Sequence, residues 1–220
     1  TPRIVRSRGR EVKAASGESG AVPAASPWFD VGVRRPLPTV IDLGEVRLRP
    51  WHPADAVPMA AVVQANLDRL GPWLPWATDE GATPDALATF VDETSRRAAE
   101  GSEIVYGIFS PDGAVLGGVG LHDRTGDGSV EIGYWLAREA EGRGLMSRIV
   151  AHLTDLALAL DGVPRVDIRC DAANERSAAV PRRLGFVLDR IDEGEGPAPA
   201  DTGRMMVWTR SEPIGATAPG

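Results

Sequence analysis

The chain has 220 residues, 43% of them hydrophobic, and a net charge of −7. That length holds one domain with a sizeable core and hardly two, and the negative charge argues against wholesale binding to nucleic acid. No apolar run reaches the length of a membrane span. The single cysteine, Cys170, excludes an internal disulfide framework and fits a reducing cytoplasm, and the scattered histidines offer no metal-ligand spacing.

Residues 1–36 are rich in Ala, Ser, Gly and Pro and read as a mobile arm, with Trp28 and Phe29 as a docking point. The opening TPRIVRSRGR has a basic flank but no apolar stretch behind it, so no secretion signal is expected. The domain proper is expected over 37–211, with a flexible tail at 212–220. Val46–Arg49 alternates as a short strand. A helix is predicted from Asp55 to Leu70, with Val57, Ala61, Val62, Ala65 and Leu70 facing inward, ending at Gly71-Pro72. Thr83 followed by Pro84 is a cap that opens a second helix to about Glu100. Three strands follow, at Ile104–Phe109, Val115–Leu121 and Ser129–Leu136, separated by turns at Pro111-Asp112-Gly113 and Gly126-Asp127-Gly128. A helix over Leu145–Leu160, a strand at 163–170, a helix from Asn174 to Leu184, and strands at 186–190 and 203–210 complete the order.

The junction of the third of these strands with the helix after it carries the chemistry. Gly142 and Gly144 bracket Arg143, allowing a sharp turn and close approach of backbone N–H groups to a ligand. From Leu145 the apolar spacing becomes helical: Leu145, Ile149, Leu153, Leu156, Leu160. A glycine turn opening a helix presents unpaired N–H groups and the positive dipole end, an anion site suited to a pyrophosphate. No Gly-Lys-Ser/Thr and no Gly-x-Gly-x-x-Gly appears, so the usual nucleotide loops fit poorly.

The run Glu141-Gly142-Arg143-Gly144-Leu145-Met146 resembles the acetyl-coenzyme A loop of the GNAT N-acetyltransferase superfamily, and in particular its RimJ/RimL-like branch. EIGYWL at 131–136, IRCDAANERSAAVPRRLGF at 168–186, WLPW at 73–76 and Gly120-Leu121-His122 are similar to the same branch. Glu141 departs from the family's Gln or Arg and sets a carboxylate beside the loop, facing solvent or bonded to Arg143. The resemblance covers roughly 42–210. It implies an α/β (α+β) GNAT fold, a mixed sheet of about seven strands flanked by about four helices.

The resemblance further implies direct acyl transfer from acetyl-CoA to a primary amine, with no acyl-enzyme and no metal. The acceptor is a protein N-terminus or a lysine, or alternatively a small amine or aminoglycoside. A succinyl donor and a non-catalytic CoA-binding module remain alternatives, and a cytoplasmic homodimer is expected. Backbone groups of Gly142, Arg143, Gly144, Leu145, Met146 and Ser147 would hold the pyrophosphate, and those of Leu136 and Arg138 the pantetheine arm. Ser147 would add its hydroxyl or serve only as a first-turn residue. Arg183 belongs to a cluster of arginines near the cofactor blocks. Asn174 is a cofactor contact or a helix cap. Ser177 is a proton donor to the leaving thiolate or a first-turn residue. Glu131 is the leading base or a surface carboxylate, with Asp201 and Glu193 behind it. Cys170 reads as a core residue, the WLPW aromatics as packing or a lip over the acceptor mouth, and His122 as structural.

Overall fold

The computed structural model describes residues 37–215. The arm, with its Trp28-Phe29 docking point, and the last residues of the tail lie outside the described residues. The elements run β1 (Ile41–Asp42), β2 (Arg47–Pro50), α1 (Ala56–Gln64), α2 (Leu67–Leu70), α3 (Pro84–Ala99), β3 (Glu103–Phe109), β4 (Val115–His122) and β5 (Val130–Leu136). They continue α4 (Leu145–Leu158), β6 (Val166–Asp171), α5 (Glu175–Arg183), β7 (Val187–Glu193) and β8 (Arg204–Arg210). The sheet has eight strands in the order β1-β2-β3-β4-β5-β6-β8-β7. Every neighbouring pair is antiparallel except β5 with β6.

Helices cover both faces. On one, Leu145, Ile149 and Leu153 of α4 pack with Ile132, Val166 and Ile168 of the sheet, all essentially inaccessible. Full burial of each such side chain stabilises the fold by about 1.5–3 kcal/mol. On the other face, Met59 and Val63 of α1 and Leu87 and Val91 of α3 pack with Trp51, Phe109 and Val115. Thr83 accepts from the Ala86 N–H and Pro84 occupies the first turn of α3, as the cap and proline predict.

The predicted helix over 55–70 differs in phase and continuity. Its buried face is Ala56, Met59, Ala60 and Val63, and Val57 is exposed. The phase is set before the helix begins: His52 and Asp55 form a reciprocal cap around a short 3-10 turn, and Arg49 clasps Asp55 with both guanidinium nitrogens at 2.6 and 2.9 Å. The break falls at Asn66, whose side-chain amide donates to the Val62 carbonyl at 2.9 Å and whose Oδ1 accepts from the Arg138 N–H at 2.9 Å. Asn66 thus ends α1 and reaches across to the segment after β5.

Candidate active site

The ladder between β5 and β6 holds only at Val130↔Val166 and Glu131↔Asp167, while β5 runs on to Leu136 and β6 to Asp171. Past Glu131 the strands part, leaving the edge of β5 without a strand beside it on that side. A cleft of about 1630 Å³ opens there. One wall is the loop and first turn of α4, another the start of α5, and a third the connection between β7 and β8. That connection meets the α2–α3 loop where the Ala200 N–H donates to the Pro72 carbonyl at 2.9 Å.

At the α4 wall, Gly142 and Gly144 have φ of +74° and +70°, the left-handed region that disfavours a Cβ. A Cβ on Gly142 would meet nothing within 4 Å, so there the glycine serves conformation rather than space. The first hydrogen bond along α4 runs from the Arg148 N–H to the Gly144 carbonyl at 3.2 Å. The N–H groups of Leu145, Met146 and Ser147 therefore have no acceptor within the helix. These donors, the positive end of α4 and the unpaired edge of β5 fit a pyrophosphate joined to an extended amide-containing arm.

Leu136, Gly142, Gly144, Leu145, Met146 and Ser147 line the cleft, as do Asn174, Ser177, Arg183 and Glu131. Ser147 is buried, and its hydroxyl accepts from Arg183 Nη1 at 2.6 Å, which ties α4 to α5. Asn174 is the helix cap, its Oδ1 accepting from the Ser177 N–H at 3.1 Å. One position is placed otherwise than expected. The Arg138 N–H is engaged by Asn66 and its guanidinium by Asp68, so that backbone donor has a protein partner. Arg143 is exposed between the two glycines that line the cleft, and its carbonyl accepts from Arg148.

Glu141 neither faces solvent unpaired nor bonds Arg143. It pairs with Arg69 of α2 and lies 3.5 Å from Arg176 of α5. Two guanidinium groups against one carboxylate leave this flank of the loop positive, which reconciles a glutamate with a phosphate site. The sequence signal was the uncompensated carboxylate itself, which calls for a cation, although nothing local names Arg69.

Behind the β5 edge, the Tyr134 hydroxyl donates to the Ser177 carbonyl at 3.0 Å, and the Ser177 hydroxyl donates to the Tyr134 oxygen at 3.3 Å. Burial pushes the Tyr134 phenol well above its ordinary range, so it stays neutral. Tyr134 was missed as a site residue; a tyrosine on the core-facing side of a strand needs a hydroxyl partner, and that is the readable signal. Cys170 is buried, and burial pushes its thiol up to about 11, against a smaller opposing influence of the neighbouring Ser177 side chain. A thiol protonated at neutral pH is a poor nucleophile. Iodoacetamide should therefore modify Cys170 much more slowly at pH 7 than an unfolded thiol, with the rate climbing toward pH 11. Rapid modification at pH 7, followed by mass spectrometry, would show a thiolate instead.

The far wall hangs on Asp171, which is buried and accepts from the N–H groups of Ala173, Thr202 and Arg204 at 2.8, 2.8 and 3.3 Å and from the Thr202 hydroxyl at 2.9 Å. Burial raises its carboxyl, but these bonds outweigh it and hold the value below the ordinary range. The stabilisation is complete above the unfolded value of about 3.9 and is lost as pH falls through the lower folded value. Asp171→Asn should cost about 2 kcal/mol at pH 7, and its deficit in thermal melts should shrink once both proteins are melted near pH 2. An equal deficit at both pH values would contradict the assignment.

At the mouth stand Glu131, Asp192, Glu193 and Glu195, with Arg124 3.2 Å from Glu131 and Arg169 3.6 Å from Asp192. Asp201 is occupied in the loop itself, accepting from the Ala198 N–H at 2.9 Å. Of the WLPW aromatics, Trp73 lines the cleft, whereas Trp76 packs edge-on against Trp135 with centroids 6.1 Å apart.

Residues 45–187 match the family profile described as acetyltransferase (GNAT) domain. YdaF of Bacillus subtilis, provisionally named a ribosomal N-acetyltransferase, is 32% identical over 151 residues, covering 68% of this chain and 80% of that protein. The ribosomal protein uS5-alanine N-acetyltransferase of Escherichia coli is 24% identical over 159 residues, covering 70% of this chain and 82% of that protein. Among solved structures, RimL, a ribosomal L7/L12 N-protein acetyltransferase in complex with coenzyme A, superposes with a TM-score of 0.68 at 21% identity, covering 78% of this chain and 97% of that one. With the parted strands and the glycine loop at the head of α4, these similarities establish that the chain belongs to the GNAT acetyltransferase family, in its RimJ/RimL-like branch.

Proposed function

We propose that this N-acetyltransferase moves the acetyl group of acetyl-CoA to the N-terminal amine of a protein, a basic ribosomal protein being the leading acceptor. The observation that carries the reading is the joining of two unlike surfaces at one point of the sheet. The positive head of α4 and the open edge of β5 suit an anionic, amide-bearing donor, and the carboxylates of the mouth suit a cationic acceptor. The names of the relatives point to ribosomal-protein amines. Arg124 and Arg169 already face carboxylates, which favours acetyl over succinyl, whose extra carboxylate would need an arginine of its own.

In this reading the N–H groups of Leu145, Met146 and Ser147 hold the pyrophosphate and the edge of β5 aligns the pantetheine amides. Glu131 takes a proton from the ammonium, and the amine lone pair attacks the thioester carbon directly. The C–S bond breaks with its electron pair on sulfur. Ser177, bonded to Tyr134, is assigned to protonate the thiolate; an ordinary thiol titrates near 8.5, so this step needs little help. Among the described residues no helix is long and apolar enough to cross a membrane. A cytoplasmic location and a homodimer accompany this reading as family expectations, the latter checked by sedimentation.

The test is mass spectrometry of synthetic peptides incubated with the protein and acetyl-CoA. Basic peptides beginning with Ala or Ser should gain one acetyl group at the α-amine, and the same peptides with a blocked α-amine and an internal lysine should not. Acetylation of lysine alone would move the acceptor, and binding of acetyl-CoA with no transfer to any amine would mark a non-catalytic module.

A further inference from the structure

Four polar residues on four adjacent strands share one row of the sheet. Glu103 of β3 faces His122 of β4, His122 faces Glu131 of β5, and Glu131 faces Asp167 of β6. Directly opposed residues carry their Cβ atoms about 5 Å apart. His122 Nδ1 lies 2.9 Å from Glu103 Oε2, and both side chains are largely buried. Arg97 of α3 holds the other Glu103 oxygen at 3.2 Å. Burial raises the Glu103 carboxyl, but His122 and Arg97 outweigh it and keep it below the ordinary range. Past Glu131, Asp167 is neutralised by Arg165 at 3.1 Å, and Glu131 itself faces Arg124.

The other ring nitrogen points along the sheet, and two glycines make room for it. A Cβ on Gly120 would stand 2.4 Å from Nε2, and one on Gly133 3.8 Å from it. Gly133 and Glu131 both line the cleft. The imidazole thus lies just behind the cleft wall, oriented by a carboxylate on one nitrogen and with the other over Gly120 and near Gly133 of β5, one register step along the sheet from Glu131, the cross-strand neighbour of His122. A lone histidine on a strand reads as structural; this one belongs to a Glu–His pair set directly behind a candidate base.

We propose that His122, oriented by Glu103, receives the proton that Glu131 removes from the acceptor amine. The proposal rests on the acetyl transfer set out above. An α-amine titrates near 7.7–8.0 and carboxylates in general near 4.3, so a carboxylate alone accepts such a proton against a gap of over three orders of magnitude. Imidazoles in general titrate near 6.5, which narrows the gap to about one and a half. The ammonium gives one proton to Glu131, and a water bridging the register step between them carries it on to His122 Nε2. The imidazolium is offset by Glu103 at Nδ1 and releases the proton to water, restoring both groups. As the adduct collapses to the amide the sulfur departs with the C–S pair and takes a proton from Ser177, and the second proton of the attacking nitrogen restores the Ser177 hydroxyl, so the products are the amide and the free thiol. His122 acts through Glu131 and is a positioning and relay residue.

His122→Asn separates relay from structure, because the Asn amide sits where Nδ1 does and keeps a donor toward Glu103 but takes no proton. The variant should melt within a few degrees of the parent and bind acetyl-CoA equally. Its kcat/KM for an accepted peptide should fall about tenfold or more, and the pH profile should lose the limb that depends on a neutral imidazole. A rate within twofold with an unchanged profile overturns the proposal. A second measurement needs no turnover: nitrogen-15 NMR of the imidazole at pH 8 should show the Nδ1–H tautomer with a bare Nε2. An Nε2–H tautomer, leaving no lone pair toward Glu131, also overturns it. If the parent protein acetylates no amine, the transfer reading fails, and the tautomer still decides the role of His122.

Discussion

Gly144→Trp should abolish measurable binding of coenzyme A while leaving the protein able to melt cooperatively. Two effects combine at this residue. Its φ of +70° is disfavoured for any side chain, which costs about 1–2 kcal/mol. Only the Arg148 guanidinium, at 3.8 Å, stands near its Cβ position, so an indole has room to settle over the head of α4. There it covers the N–H groups of Leu145, Met146 and Ser147, the donors assigned to the pyrophosphate. The strain falls in an exposed turn outside the core, so the fold survives with a modest loss of stability. Gly144→Ala is the control: it carries the strain without the bulk and should weaken binding far less. Calorimetry should show at least a hundredfold loss for the tryptophan variant. Micromolar binding retained by Gly144→Trp would refute the loop as the cofactor site.

Glu131→Gln should lower kcat by about a hundredfold and leave the Kd for acetyl-CoA within twofold, since general-base contributions run about 10²–10⁴. The substitution preserves shape and one acceptor oxygen, and it removes only the capacity to take a proton. Glu131 is the last β5 residue paired to β6 before the strands part, and its side chain is mostly buried against Arg124. In the proposed reading a carboxylate placed there would meet an amine arriving from the acidic mouth. Loss of the Arg124 pair is a separate effect, and Arg124→Gln isolates it, since that variant keeps the carboxylate. If Glu131→Gln retains kcat across the pH range, Glu131 is not the base.

Most of the architecture was legible because its signals are local. The turns at Pro111-Asp112-Gly113 and Gly126-Asp127-Gly128 marked off β3, β4 and β5, Thr83-Pro84 marked the head of α3, and the change of period at Leu145 marked α4. The phase of α1 was not legible, because it is imposed by the Arg49–Asp55 clasp and the His52 cap lying outside the helical pattern. The break at Asn66 depends on a hydrogen bond to Arg138, 72 residues away. The loop glycines stood out in the chain because a left-handed turn requires them. The partners that define the site electrostatically did not: Arg69 and Arg176 around Glu141, and Glu103 beside His122, come from distant elements brought together by strand register. Single residues read as structural or uncertain when alone acquire a chemical setting only through such pairings.

Titration of the purified protein with acetyl-CoA by calorimetry, beside S-acetylpantetheine, which keeps the thioester and amides but lacks the pyrophosphate, tests the central claim most directly. The head of α4 as a pyrophosphate site predicts one-to-one binding of acetyl-CoA in the micromolar range and at least a hundredfold weaker binding of the truncated donor. Equal affinity for the two, or no heat from acetyl-CoA, would contradict it.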